Sequence, residues 1–60
     1  MKSHLVYSFE LQVGDRIFED HEFTKVINVV HKKMKVVVHL SNGKTYTVYR
    51  NTSFNKVIEL

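Results

Sequence analysis

Apolar and polar residues alternate along most of this chain, a pattern typical of β-strands. Over residues 4–13 every second position is apolar, with Val6 as the one exception, and the apolar positions are Leu5, Tyr7, Phe9, Leu11 and Val13. A period of two places such side chains on one face of a strand. No stretch keeps a helical period over three turns. The pattern therefore predicts a first strand over 4–13.

Five further strands are predicted between turn signals. Gly14-Asp15 ends the first strand, because glycine accepts a positive φ and aspartate favours turns. A short strand follows at "RIF" (16–18), and "EDHE" (19–22) forms a charged loop. The remaining apolar segments predict strands over 23–31, 35–40, 44–49 and 57–60. Between the last two, "RNTSF" (50–54) favours a tight turn or one turn of 3₁₀ helix.

The "SNG" hairpin admits two registers, and the apolar pattern separates them. A two-residue loop at Asn42-Gly43 would mix apolar and polar side chains on both faces. A three-residue loop with Gly43 in the left-handed region makes one face consistently apolar. Since a slip of one residue turns a whole strand over, we predict the three-residue loop with a glycine bulge. The cross-strand pairs are then Val38 with Tyr46, Val36 with Val48 and Lys35 with Tyr49, and the outer face carries Lys35, Val37, His39, Thr45, Thr47 and Tyr49.

The order of these elements predicts the fold class. We expect an all-β chain: a small five- to six-stranded antiparallel barrel or strongly bent sheet, forming a single domain over residues 1–60. The interior is predicted to hold Leu5, Phe9, Leu11, Val13, Ile17, Val36, Val38, Val48 and Ile58.

Three segments, "LQVGDRI", "SNG" and "RNTSF", stand in an order that resembles the SH3-like small β-barrel modules, a group that includes KOW, Tudor and chromo-type domains. The resemblance covers nearly the whole chain. It implies a binding module, and it implies that the outer face of the central hairpin contacts nucleic acid.

Length and composition restrict the stability that the fold can reach and the compartment in which we expect it. A 60-residue chain buries only about 60% of the surface exposed when it is unfolded, so its core is marginal and a partner or a homodimer would add stability. The chain has no cysteine, which suits a reducing compartment. It shows no secretory signal and no long apolar run. We therefore expect a cytoplasmic protein that does not contact a membrane.

Charge is segregated along the sequence, although the net charge is only +3. Residues 10–22 hold five acidic residues and one arginine, whereas residues 23–58 hold seven basic residues and no acidic one. This asymmetry predicts a basic binding surface on the hairpin face, and the alternative is that the lysines only solvate the sheet. The candidate binding residues are Lys32, Lys33, Lys35, Val37, His39, Tyr49 and Arg50.

Two classes of partner fit such a surface. Lysines attract phosphates and an exposed tyrosine stacks on a base, which would suit nucleic acid. A protein partner, or a second copy of the chain, would instead cover Val37 and Tyr49. Small size, polarised charge and the lack of cysteine and proline are also traits of short regulators, such as phage or mobile-element proteins, that inhibit or adapt a larger macromolecule. We expect a protein-binding regulator, with nucleic-acid binding as the alternative.

Catalysis, metals and cofactors find little support in the sequence. His21 lies among three carboxylates in "EDHE", but one short loop does not supply a metal site of fixed geometry. His31 and His39 lie on neighbouring strands, where they could approach each other or stay on the surface. The serines at 3, 8, 41 and 53 have no recognisable catalytic context. We therefore expect no enzyme activity, no catalytic residue, no metal and no cofactor.

Overall fold

The computed structural model describes residues 2–59, which form six antiparallel strands. The strands are β1 (Lys2–Tyr7), β2 (Arg16–Glu19), β3 (Glu22–His31), β4 (Lys35–Leu40), β5 (Thr45–Tyr49) and β6 (Ser53–Glu59), with a 3₁₀ turn at Ser8–Glu10. They belong to one sheet in the order β1-β6-β2-β3-β4-β5. The predicted all-β fold is confirmed, and within residues 2–59 the sheet is not closed into a barrel. No helix in this part of the chain has the length and apolar character needed to cross a membrane.

The sheet curls strongly, as one aromatic contact shows. The rings of Tyr46 on β5 and Phe54 on β6 have centroids 6.0 Å apart. These two strands are four positions apart in the sheet, a separation of about 19 Å if the sheet were flat. The inner face is thereby folded onto itself. One buried cluster fills the inside, formed by Leu11, Ile17, Val26, Val36, Val38, Leu40 and Phe54.

The hairpin between β4 and β5 has the predicted register. Lys35 pairs with Tyr49, Val36 with Val48 and Val38 with Tyr46. Gly43 has φ 89° and closes a three-residue loop, in which its N–H donates to the Leu40 carbonyl at 3.0 Å. The predicted glycine turn at Gly14, with φ 99°, is also confirmed.

The predicted first strand over 4–13 is wrong beyond Tyr7. Ser8 is fully buried, and its hydroxyl donates to the Tyr49 carbonyl at 2.7 Å while its N–H donates to the Thr52 carbonyl at 2.7 Å. These bonds pull the chain into the 3₁₀ turn and break the alternation. Phe9 and Val13 are consequently exposed rather than internal.

The inner and outer faces of β1 are exchanged relative to the prediction. Val6, the apparent exception in the alternation, packs against the core, whereas Leu5 is 67% exposed. Leu5 lies on the opposite face of β1 from Val6, and that face is turned away from the buried cluster.

The last strand is longer than predicted, and the residues that it buries also differ from the prediction. It begins at Ser53, so "RNTSF" supplies a turn but no 3₁₀ helix, and Phe54 enters the core. Val57 is buried and Ile58 is exposed. Ile58 is the residue skipped where the pairing of β1 with β6 shifts register, between the pairs Lys2–Glu59 and Ser3–Val57. Residue 60 of the predicted strand lies outside the described residues. Among the predicted core residues, Leu11, Ile17, Val36 and Val38 are buried, and Val48 packs against them.

The "EDHE" segment is a two-residue hairpin turn. Glu19 pairs with Glu22, and between them Asp20 and His21 have φ 52° and 61°. Positive φ at both central positions is typical of a type I′ turn, which favours Asn-Gly or Asp-Gly. His21 therefore holds a left-handed conformation that costs a residue with a Cβ about 1–2 kcal/mol.

Replacing His21 with glycine is expected to stabilise the fold by about 0.5–1 kcal/mol, since the relief of strain exceeds the extra entropy of glycine in the unfolded chain. Urea unfolding of the wild type and of His21→Gly measures the difference. The matched control is His31→Gly, at an extended position of β3, which should lower stability. A His21→Gly variant no more stable than the wild type would contradict the strain assigned to this turn.

Candidate functional site

The four strands β2 to β5 share one solvent-facing surface, which we call the outer face. Cross-strand partners lie on the same side of a sheet, and successive residues alternate between sides. From the observed pairings, the outer face holds Arg16, Phe18, Phe23, Lys25, Asn28, Val30, Lys32, Lys35, Val37, His39, Thr45, Thr47 and Tyr49. A bulge in β3 between Val26 and Asn28 brings Ile27 to this face as well, because two residues there oppose one on β4.

The predicted site residues divide into two groups. Lys35, Val37, His39 and Tyr49 lie together on the outer face, and Lys32 extends it beside Lys35. Lys33 lies in the turn between β3 and β4. Arg50 follows β5 and stacks its guanidinium over the Phe9 ring at 5.0 Å from the centroid. Arg50 therefore belongs to the end of the sheet rather than to the outer face.

Contacts within the hairpin orient its polar side chains. The Lys35 ammonium lies 5.3 Å from the centre of the Tyr49 ring, a distance that allows a cation–π interaction. Nδ1 of His39 is 3.2 Å from Oγ1 of Thr45, the residue directly opposite. His31 pairs with Val36 and His39 with Asn28, so the two histidines occupy different positions along β3 and β4 and do not pair with each other.

An apolar ridge crosses the outer face, and the sequence prediction missed most of it. Phe18 and Phe23 form a tilted pair with ring centroids 4.8 Å apart. Ile27 is 53% exposed, Val30 is exposed, and Val37 is half-buried. The sequence shows that β3 carries apolar residues on both of its sides. The bulge between Val26 and Asn28 shifts the alternation, however, so the sequence alone does not show that Phe23, Ile27 and Val30 share the outer face.

The outer face carries cations but no carboxylate among residues 2–59. Its charged members are Arg16, Lys25, Lys32 and Lys35, and none of them forms an ion pair with a described acidic residue. The acidic side chains at Glu19 and Glu22 extend to the other side of the sheet, since their neighbours Phe18 and Phe23 occupy the outer face. An approaching macromolecule would meet apolar side chains and positive charge.

The acidic turn is neutralised in part by Lys44 of the neighbouring hairpin. The Lys44 ammonium lies 2.8 Å from Asp20 Oδ2 and 3.3 Å from Glu22 Oε2. The hydrogen bond and charge of Lys44 hold the pKa of Asp20 below its ordinary value, while the hydrogen bonds that Lys44 donates to Asp20 and Glu22 raise the pKa of Lys44. A lowered carboxyl pKa stabilises the fold above the ordinary value of 3.8, and this contribution is lost as pH falls through the folded pKa.

The metal hypothesis for "EDHE" gains no geometric support. Asp20 and Glu22 turn toward Lys44, and within residues 2–59 no three histidine or carboxylate side chains converge to hold a metal ion.

Comparison of this chain with protein-family models, with curated proteins and with solved structures gives no match. The outer face itself is therefore the basis on which a function is inferred.

Proposed function

We propose that this protein is a non-enzymatic binding module that docks its outer face onto an acidic, partly apolar surface of a larger protein. The observation that carries the proposal is the composition of that face: an exposed apolar ridge bordered by unpaired cations, with no described carboxylate. Specific interfaces combine an apolar centre with a polar rim in this way.

The aliphatic part of the ridge favours a protein partner over nucleic acid. Ile27, Val30 and Val37 offer no flat ring for a base to stack on, whereas they fit the apolar pockets of a protein surface. Tyr49, the one aromatic residue of the central hairpin's outer face, already has the Lys35 ammonium beside its ring. Desolvation of this cluster by apolar groups of a partner would strengthen the cation–π pair.

A module with these properties would act by occupying its partner, as an inhibitor or an adaptor. The four outer-face cations make an acidic partner surface the complementary one, and such complementarity accelerates encounter and excludes wrong partners. Because the chain has no cysteine, we assign it to a reducing compartment such as the cytoplasm.

A second candidate function is nucleic-acid binding, which a cluster at the end of the sheet favours, and this cluster shares Lys32 and Lys35 with the outer face. Lys32, Lys33 and Lys35 surround the turn between β3 and β4, and the Arg50 N–H donates to the Met34 carbonyl at 3.1 Å, which places Arg50 beside this turn. The Phe9 ring under Arg50 is stacked against Tyr7, with centroids 5.7 Å apart. Cations around aromatic rings are the usual components of a single-strand binding surface.

Affinity capture from lysate with and without nuclease separates the two candidates. Under the proposal, the captured protein remains bound after nuclease treatment, and its affinity falls with salt less steeply than that of a protein that contacts several phosphates, because the apolar ridge also contributes. Nucleic-acid binding through several phosphates would instead fall steeply with salt, and the captured material would disappear with nuclease. That second result would overturn the proposal in favour of the alternative.

A further inference from the structure

A cavity of about 410 Å³ lies at the border of the outer face, where β2 and β3 meet the loop between β4 and β5. It is lined by Arg16, Phe23, Thr24, Lys25 and Ser41. Its volume falls at the lower end of the range for small-ligand sites. The Phe23 ring supplies an apolar wall, two cations stand at the side, and two hydroxyl groups complete the lining.

The two cations of the cavity lie directly opposite each other. Arg16 on β2 is the cross-strand partner of Lys25 on β3, and neither forms an ion pair with a carboxylate of residues 2–59. Like charges at directly opposed positions destabilise a sheet. A bound anion would offset this repulsion. The two cations are therefore more favourably placed in the ligand-bound protein than in the free protein.

The hydroxyl groups are held in place by the backbone. Ser41 Oγ accepts a hydrogen bond from the Lys25 N–H at 3.1 Å and lies 3.1 Å from Thr24 Oγ1. When Thr24 donates to Ser41 Oγ, the hydrogen of the exposed Ser41 hydroxyl stays free to donate to a ligand. Arginine, lysine and a hydroxyl together form a set of donors that matches a carboxylate.

We infer that this cavity binds a glutamate or aspartate side chain of the partner, with an apolar neighbour of that residue packing on Phe23. The inference rests on the proposed function and adds to it the chemical group that the partner inserts. The apolar wall next to the two cations is what selects an acidic residue with an apolar neighbour over a free inorganic anion. The cavity would then anchor the acidic surface that the ridge covers.

Two blocked peptides test the inference on the isolated protein: acetyl-Leu-Glu-Leu-amide and its neutral analogue acetyl-Leu-Gln-Leu-amide. Amide chemical shifts followed during titration should change around Phe23, Lys25 and Ser41. The glutamate peptide should bind roughly tenfold more tightly than the glutamine peptide, the difference expected for hydrogen bonds to a charged group. Arg16→Gln and Lys25→Gln should each reduce that preference, while Lys2→Gln, an equal charge change on β1, should preserve it.

Thermal unfolding gives a readout that is independent of any ligand. Lys25→Gln should raise Tm by a few degrees because it removes the like-charge pair, whereas Lys2→Gln should not, since Lys2 pairs with Glu59.

Equal affinity for the two peptides, or shifts that map to the turn at Lys32 and Lys33, would overturn the inference. If protein capture nevertheless survives in Lys25→Gln, the proposed function stands and only the anchor is wrong. If the peptide preference is found but nuclease abolishes capture, the cavity stands and the protein-docking role fails.

Discussion

Replacing Phe54 with alanine is expected to unfold most of the chain at 25 °C. Phe54 is 3% exposed and joins β6 to Tyr46 across the curled sheet. Truncation of a buried phenylalanine costs about 3–5 kcal/mol, which equals the roughly 3–5 kcal/mol that a single core supplies in a domain of this size without disulfides. Far-UV circular dichroism and urea unfolding measure the loss.

The matched control for this prediction is Phe23→Ala. Phe23 is 57% exposed and contacts Phe18 on the outer face, so its loss should cost about 1 kcal/mol and leave the fold intact. If Phe54→Ala and Phe23→Ala lowered stability equally, the core assigned to the inner face would be wrong.

The second large effect is expected when carboxylates are introduced into the outer face. Ile27→Glu combined with Thr47→Glu should weaken partner binding at least roughly 100-fold, because like-charge contacts across an interface cost several kcal/mol. Both positions are exposed, so the fold should be retained. Calorimetric titration of the captured partner measures the change in Kd.

Two glutamates placed elsewhere serve as the control for charge alone. Ser3→Glu with His4→Glu adds the same number of carboxylates at exposed positions of β1, outside the outer face. This variant should bind nearly as the wild type does. Equal losses in both double variants would show that total charge, rather than the outer face, controls binding.

The local hairpin could be predicted from the sequence because its determinants are local. The apolar positions of β4 and β5 allow one register that buries them together, and Gly43 supplies the left-handed residue which that register needs. The six observed strands agree with the predicted five to six, since turn residues separate nearly every apolar segment.

The first strand could not be predicted correctly, because a distant contact determines where it ends. Ser8 is buried by hydrogen bonds to Tyr49 and Thr52, more than forty residues along the chain. The residues near Ser8 in the sequence do not indicate that Tyr49 and Thr52 accept its hydrogen bonds. Phe9 and Val13 continue the apolar alternation in the sequence, but the strand itself ends at Tyr7.

The candidate site was predicted in part for a similar reason. Lys35, Val37, His39 and Tyr49 lie on one hairpin, so their common face follows from a single register. Arg16, Phe23 and Lys25 join that face through the pairing of β2 with β3, and Ile27 joins it through a bulge. Neither the two-residue turn that sets the register of β2 with β3 nor the bulge is visible in an alternation of apolar and polar residues.

The long third strand separates charge in space as well as in sequence. β3 spans ten residues, about 33 Å, with the acidic turn at Asp20 near its start and the lysines of the next turn at its end. The molecule is therefore an electric dipole. In the field of a charged partner it experiences a torque before contact, which turns the lysine end toward negative charge. Encounters would begin pre-oriented, and this advantage in association rate would fade once added salt shortens the Debye length below the length of the strand.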